Sequence, residues 1–392
     1  MPKKPKRVPS APSEWKRRVR VKKIKNANIH KVKLKSASVI GEGQFLALRA
    51  LWKIHDHLNP DLKRFDLEPW VSQAQEMLDR YESWQIYTEN GAVEAKEMAE
   101  STFVMAKYWQ AMADEISSNK SSPSELLGQL CTRTKDEEIV TSALFSLLCG
   151  LIVHTGIPNR WTVHRKPFKA QFNYASFEAR VDGYLEDKSL AQKVRALVEV
   201  QPVLRQKQIL KIGMQEAAQM VAWILSELEL DKDGCLNLPG RHLHVSQDRS
   251  EIYITFAEYD DEYINYLRDD SNPDSNLHFL TMHQYGPWGT SNLEDMRDLG
   301  KFLLAICLRA QFDKQNEGVE VQESKSEKSE TDEEDDNMSV DSNQSADVDM
   351  DENADEGDHE NEDDDEEDDD DDEEYVDDED PQCRTRIGRN LR

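Results

Sequence analysis

Apolar positions fall near helical spacing in the first third of the chain and near strand spacing in much of the second. Phe45, Leu48, Leu51, Trp52 and Ile54 predict one helix. Trp70, Ala74, Met77, Leu78 and Tyr81 predict another, with Pro69 where a first helical turn tolerates it. Val93 to Ile116 is a long Ala- and Met-rich helical pattern, Ser122-Pro123-Ser124-Glu125 reads as a helix start, and Asp136 to Val153 carries a broad apolar face. At Gly156-Ile157-Pro158-Asn159 the period changes. Trp161 to Val163, Lys169 to Tyr174, Phe177 to Leu185 and Val194 to Val200 alternate, or run apolar, as strands do. A helix over Gly213 to Leu230 follows. His242 to Val245, Ile252 to Ala257, Tyr263 to Leu267 and Leu277 to His283 are expected strands, with a hairpin turn at Gln247 to Ser250. Asn292 to Ala310 closes the pattern as a helix. This order predicts an α/β (α+β) fold, a sheet flanked by helices with a helical N-terminal extension, and excludes a regular βαβ alternation.

Charge changes the picture at both ends. Met1 to Ile40 holds 14 Lys and Arg against a single acid, Glu14. Glu317 to Asp380 holds 36 Asp and Glu against Lys325 and Lys328, so the chain's net charge of −29 mostly describes this tail. The tail has few apolar side chains, cannot bury enough surface to offset the entropy of ordering, and is expected to be disordered. The organisation read from the chain is a basic disordered arm (1–40), a helical region (41–135), a folded domain (136–312) and an acidic disordered tail (313–392).

The five Cys include no Cys-x-x-Cys pair, which argues against a zinc site or disulfide framework, and Cys149 and Cys307 read as reduced core residues. The charged N-terminus predicts no signal peptide. The most apolar stretch, Ile139 to Val153, is shorter than the ~20 residues a membrane span needs.

The stretch from Phe177 to Ile224 carries the candidate chemistry. Asp182 is followed by Gly183 at the bend of one strand. Glu199 and Gln201 stand two apart on the next and therefore share a face. If the strands are neighbours, two carboxylates and a backbone carbonyl, that of Val200, make a hard-oxygen site suited to Mg²⁺. Such an ion generates hydroxide and neutralises a phosphodiester. Gln215 and Gln219, four apart on the following helix, share one face, which Ala222 and Ser226 continue.

With its Asp, its Glu-x-Gln and its helix of spaced Gln, this stretch resembles the PD-(D/E)XK nuclease superfamily, in particular its fungal members. The resemblance covers roughly Asp136 to Ala310. It implies a central mixed sheet flanked by helices and Mg²⁺-dependent cleavage of DNA or RNA. It assigns Asp182 and Glu199 to the metal, and Glu138 or its neighbour Glu137, from the preceding helix, to its support. The superfamily usually has Lys where this chain has Gln201; Gln orients water but brings no charge. The resemblance therefore implies an impaired site, unless Lys188, Lys193 or Arg205 supplies the charge from elsewhere.

Other features point less far. His242 and His244 share a strand face as a metal pair without a third ligand, and Tyr285-Gly286-Pro287-Trp288-Gly289 reads as a packing corner. No phosphate-cradling loop and no nucleophile elbow occurs. Lys3-Lys4-Pro5-Lys6-Arg7 resembles a nuclear import signal, and the arm is suited to phosphates. The tail is suited to basic nuclear proteins such as histones. A non-enzymatic nuclear interaction protein is therefore the alternative reading.

Overall fold

The computed structural model describes residues 7–24, 28–57, 60–89, 98, 100–118, 137–187, 193–227, 239–268 and 277–326. The acidic tail beyond 326, the import-like cluster at 3–6, the expected helix start at 122–125 and Lys188 lie outside them.

The fold is α/β, a mixed seven-stranded sheet flanked by helices. Its strands are β1 (Ala50–His55), β2 (Arg160–Thr162), β5 (Gly183–Glu186), β6 (Val194–Gln201), β7 (Leu243–Asp248), β8 (Glu251–Glu258) and β9 (Leu280–Gly289). They stand in the order β1-β9-β8-β7-β6-β5-β2. The pairs β1/β9 and β6/β7 are parallel and the others antiparallel. A separate hairpin joins β3 (Pro167–Gln171) to β4 (Ser176–Arg180).

Each face of the sheet buries its own apolar cluster. On β6, Ala196, Val198 and Val200 go to one side, where α3 (Glu68–Asp79), α4 (Glu82–Glu89), α5 (Val104–Ser118), α6 (Glu137–Ile152) and α9 (Leu293–Ser326) pack. Leu197 goes to the other side, beneath α7 (Arg205–Glu227) and α8 (Asp261–Arg268). This two-residue alternation puts Glu199 and Gln201 on the α7 side.

The N-terminal segment differs from the expected disordered arm. Residues 12–21 form a helix, α1 (Pro12–Val21), whose Trp15 is buried and donates from Nε1 to the Leu46 carbonyl (2.8 Å). The Pro9 carbonyl accepts from the Trp52 amide (2.9 Å), and Val8, Ile29 and Ile40 enter the α7-side core. Lysine density masked these apolar anchors, because long cationic side chains reach water while their backbone packs.

Leu51, Trp52 and Ile54 are not helical. The expected helix stops at α2 (Glu42–Ala47), and these residues form β1 parallel to β9, so the expected helical region and the following domain share one sheet. The expected strand at Tyr263 to Leu267 is α8, started by Asp260, whose Oδ1 accepts from the Tyr263 amide (2.8 Å), and by Asp261 and Glu262 in its first turn. The expected strand from Phe177 to Leu185 is two strands, β4 and β5, in different sheets. The Tyr285–Gly289 corner lies within β9, where Gly286 takes φ +120° and Trp288 is buried. The closing helix runs on to Ser326, past the expected start of the tail. Cys307 is buried and its thiol is pushed up to about 12 by desolvation, whereas Cys149, expected in the core, is exposed.

Candidate metal and phosphate site

The site forms where β5 and β6 pair. Gly183 stands opposite Val198, and the Asp182 amide donates to the Val198 carbonyl (3.1 Å). Asp182 is thereby set beside Glu199. Gly183 has no positive φ. A side chain there would strike the Phe145 ring and the Thr162 carbonyl, so this glycine allows α6 and β2 to close on the sheet.

Asp182 is buried except for its exit to the cleft. Its Oδ2 accepts from the Val200 amide (2.9 Å), and its Oδ1 accepts from Arg165 Nη2 (2.7 Å). Glu199 is enclosed by amides. Gln201 Nε2 donates to Oε1 (3.1 Å), Gln215 Nε2 to the same oxygen (2.5 Å) and Gln219 Nε2 to Oε2 (2.6 Å). Gln219 Nε2 also reaches the Arg180 carbonyl (2.8 Å). The i, i+4 pair on α7 therefore serves the carboxylate, and Ser226 lower on the helix binds the Lys169 backbone at both its amide and its carbonyl.

An open cleft of about 380 Å³ leads to Asp182. Glu137, Glu138, Thr141 and Ser142 from the start of α6 line it, as do Trp109 and Arg165. Burial raises the Asp182 carboxyl above its ordinary range against the Val200 and Arg165 contacts, and the Glu138 charge adds to the rise. Glu199 is raised well above its range, first by burial and then by the Asp182 charge, with Glu216 and Glu137 contributing. Asp182, Glu199, Glu138, Glu137 and Glu216 thus share one field, with the exposed Arg165 guanidinium on Asp182 and the buried Arg205 on Glu216.

These residues fit a hard divalent cation. Two carboxylates converge with excess negative charge, and the buried Oε1 of Gln219 accepts no hydrogen bond. The sequence candidates for a missing charge fare differently. Lys193 immediately precedes β6, six residues from Glu199, about 20 Å at the ordinary strand rise. Arg205 is locked elsewhere, on Asp248 Oδ2 (2.5 Å), on both oxygens of Glu216 and on Gln284 Oε1 (2.8 Å). Among the described residues, the cation that reaches the site is Arg165, which sequence reasoning missed; it sits on the β2–β3 connection, where no periodicity marks it.

The histidine pair does not build a second centre. His244 is fully buried under α7, and His242 meets the Tyr259 hydroxyl through Nδ1 (2.9 Å) and the Trp223 ring. Elsewhere, ligand atoms of Asp260, Glu262 and His278 lie within 4.8 Å of one another, with His278 Nδ1 on Asp260 Oδ2 (2.7 Å). Among the described residues no helix is long and apolar enough to cross a membrane. No protein-family model matches the chain, and no curated protein is similar to it.

Proposed function

We propose that this protein is a nuclear, PD-(D/E)XK-like nucleic-acid-binding protein whose folded domain acts, or formerly acted, on DNA or RNA phosphodiesters with Mg²⁺. The observation that carries the reading is the meeting of Asp182 and Glu199 where β5 and β6 pair, both carboxyls raised by burial and neighbouring acids, with Asp182 lining a cleft that Glu137 and Glu138 also line. Asp182 and Glu199 would hold the ion, which supplies hydroxide and charge neutralisation at phosphorus. The Val200 carbonyl and Glu138 support it, and Gln201 orients water. Surface charge supports the same ligand class. Lys31, Lys33 and Lys35 are exposed and alternate with Val32 and Leu34, which pack on the core, so these cations project from a folded surface rather than a loose arm.

The test is cleavage of single- and double-stranded DNA and RNA by the full chain with Mg²⁺ or Mn²⁺. Activity lost in Asp182→Ala establishes a nuclease. Activity absent in wild type but present in Gln201→Lys establishes a silenced site. No cleavage by either moves the reading to the second one, a nuclear interaction protein that binds basic partners such as histones through its acidic tail. One contact favours that second reading: the Gln201 amide is engaged on Glu199 (3.1 Å).

A further inference from the structure

We propose that Arg165 is a two-position cation. It neutralises Asp182 while the carboxylates lack a metal, and it turns to a phosphate oxygen of a bound nucleic-acid backbone once a divalent cation takes Asp182. The proposal rests on the nuclease reading and names the residue that replaces the absent Lys. Arg165 is held at its tip. Nη2 meets Asp182 Oδ1 at 2.7 Å, while the arginine side chain is 65% exposed and the aspartate 9%. The other aspartate oxygen is fixed by the Val200 amide, so Oδ1 is the oxygen that a guanidinium and a metal would both claim. Among the described residues lining the cleft, Arg165 is the one cation, beside the acids Glu137, Glu138 and Asp182. A phosphodiester entering there meets three acids among hydroxyl and apolar side chains, and Arg165 brings the opposing charge. The planar guanidinium suits carboxylate and phosphate equally, so exchanging one for the other loses little.

The experiment measures two affinities of the full chain, for wild type, Arg165→Gln, Arg165→Lys and Asp182→Asn. Mn²⁺ binding is read by calorimetry. Binding of labelled single-stranded and duplex DNA and RNA is read by anisotropy in Ca²⁺ at several salt concentrations. Removing the competing cation should tighten Mn²⁺ about threefold to fivefold, the worth of an exposed ion pair. The same change should weaken the oligonucleotide about tenfold and lower the salt slope by about 1, with Arg165→Lys recovering part of both. A merely structural arginine would weaken both ligands together, and that result overturns the proposal. Mn²⁺ binding that needs Asp182 but ignores Arg165→Gln overturns this role alone. Mn²⁺ binding indifferent to Asp182→Asn removes the metal site and the nuclease reading with it.

Discussion

Two clusters of buried acids lie under the same helix, on neighbouring strands, and are balanced in opposite ways. Around Arg205, one guanidinium serves Asp248 and Glu216, Ser246 donates to Glu216 (2.7 Å), and the Tyr253 ring lies 4.2 Å from the guanidinium carbon. That cluster is closed to solvent, and its two acids raise Arg205 further above its already high range despite burial. Around Glu199, three amides donate without bringing charge, and the nearest cation comes from the solvent side to Asp182 alone. Gln201 and Asp248 are direct partners in the β6/β7 register, so the two environments are adjacent. The difference teaches that burial of acids is not itself a functional sign. A buried acid closed over by a buried arginine holds the fold together, whereas buried acids beside a cleft, met by an arginine only from the solvent side, are candidates for a ligand site.

The closed cluster should break hardest. Arg205→Leu strands Asp248 and Glu216 without a counter-charge and should cost about 3–5 kcal/mol in urea unfolding; a cost under about 1 kcal/mol would mean that the acids are balanced another way. Beside this cluster, His244 is pushed down to about 4 by burial from an ordinary 6.5. Its folded form is neutral while the unfolded form takes up a proton. Stability from this residue is therefore present above pH 6.5 and is lost as pH falls toward 4, by about 3 kcal/mol in all. His244→Leu should flatten the pH profile over that window, and an unchanged profile refutes the assignment.

The open cluster should respond more weakly. Gln215→Ala removes one of the three amides on Glu199 and should cost about 1 kcal/mol, read by thermal unfolding. Asp182→Asn should change stability least. It keeps an oxygen for the Val200 amide and relieves repulsion with Glu199, so unfolding should be unchanged or about 1 kcal/mol harder. Because both carboxyls are raised in the folded state, wild type should lose stability as pH rises above the ordinary carboxylate range, with the loss ending once both have ionised. Mn²⁺ should reduce that loss in wild type but not in Asp182→Asn; a loss insensitive to Mn²⁺ would erase the contrast between the clusters.

Much of the candidate site was legible because its parts are local. The two-residue period put Glu199 and Gln201 on one face, and the i, i+4 spacing put Gln215 and Gln219 on another; the structure turns these two faces toward each other. The N-terminal segment was misread because charge count outweighed its apolar anchors Val8, Trp15, Ile29 and Ile40. Leu51 to Ile54 and Tyr263 to Leu267 are short apolar runs whose spacing fits helix and strand alike. Parallel pairing with β9 decided the first, and the Asp260 cap decided the second.

By itself the sequence determined the class of fold, the separation of charge between its ends, and which carboxylates and amides share a strand or helix face. Those properties depend on covalent neighbours and repeat every two or 3.6 residues. Only the tertiary structure decided that β5 pairs with β6, that Arg165 reaches Asp182 while Arg205 turns to Asp248 and Glu216, and that the basic N-terminal segment belongs to the core. These contacts join residues distant in the chain, and they are selected by which apolar faces can be buried together, which no local period encodes.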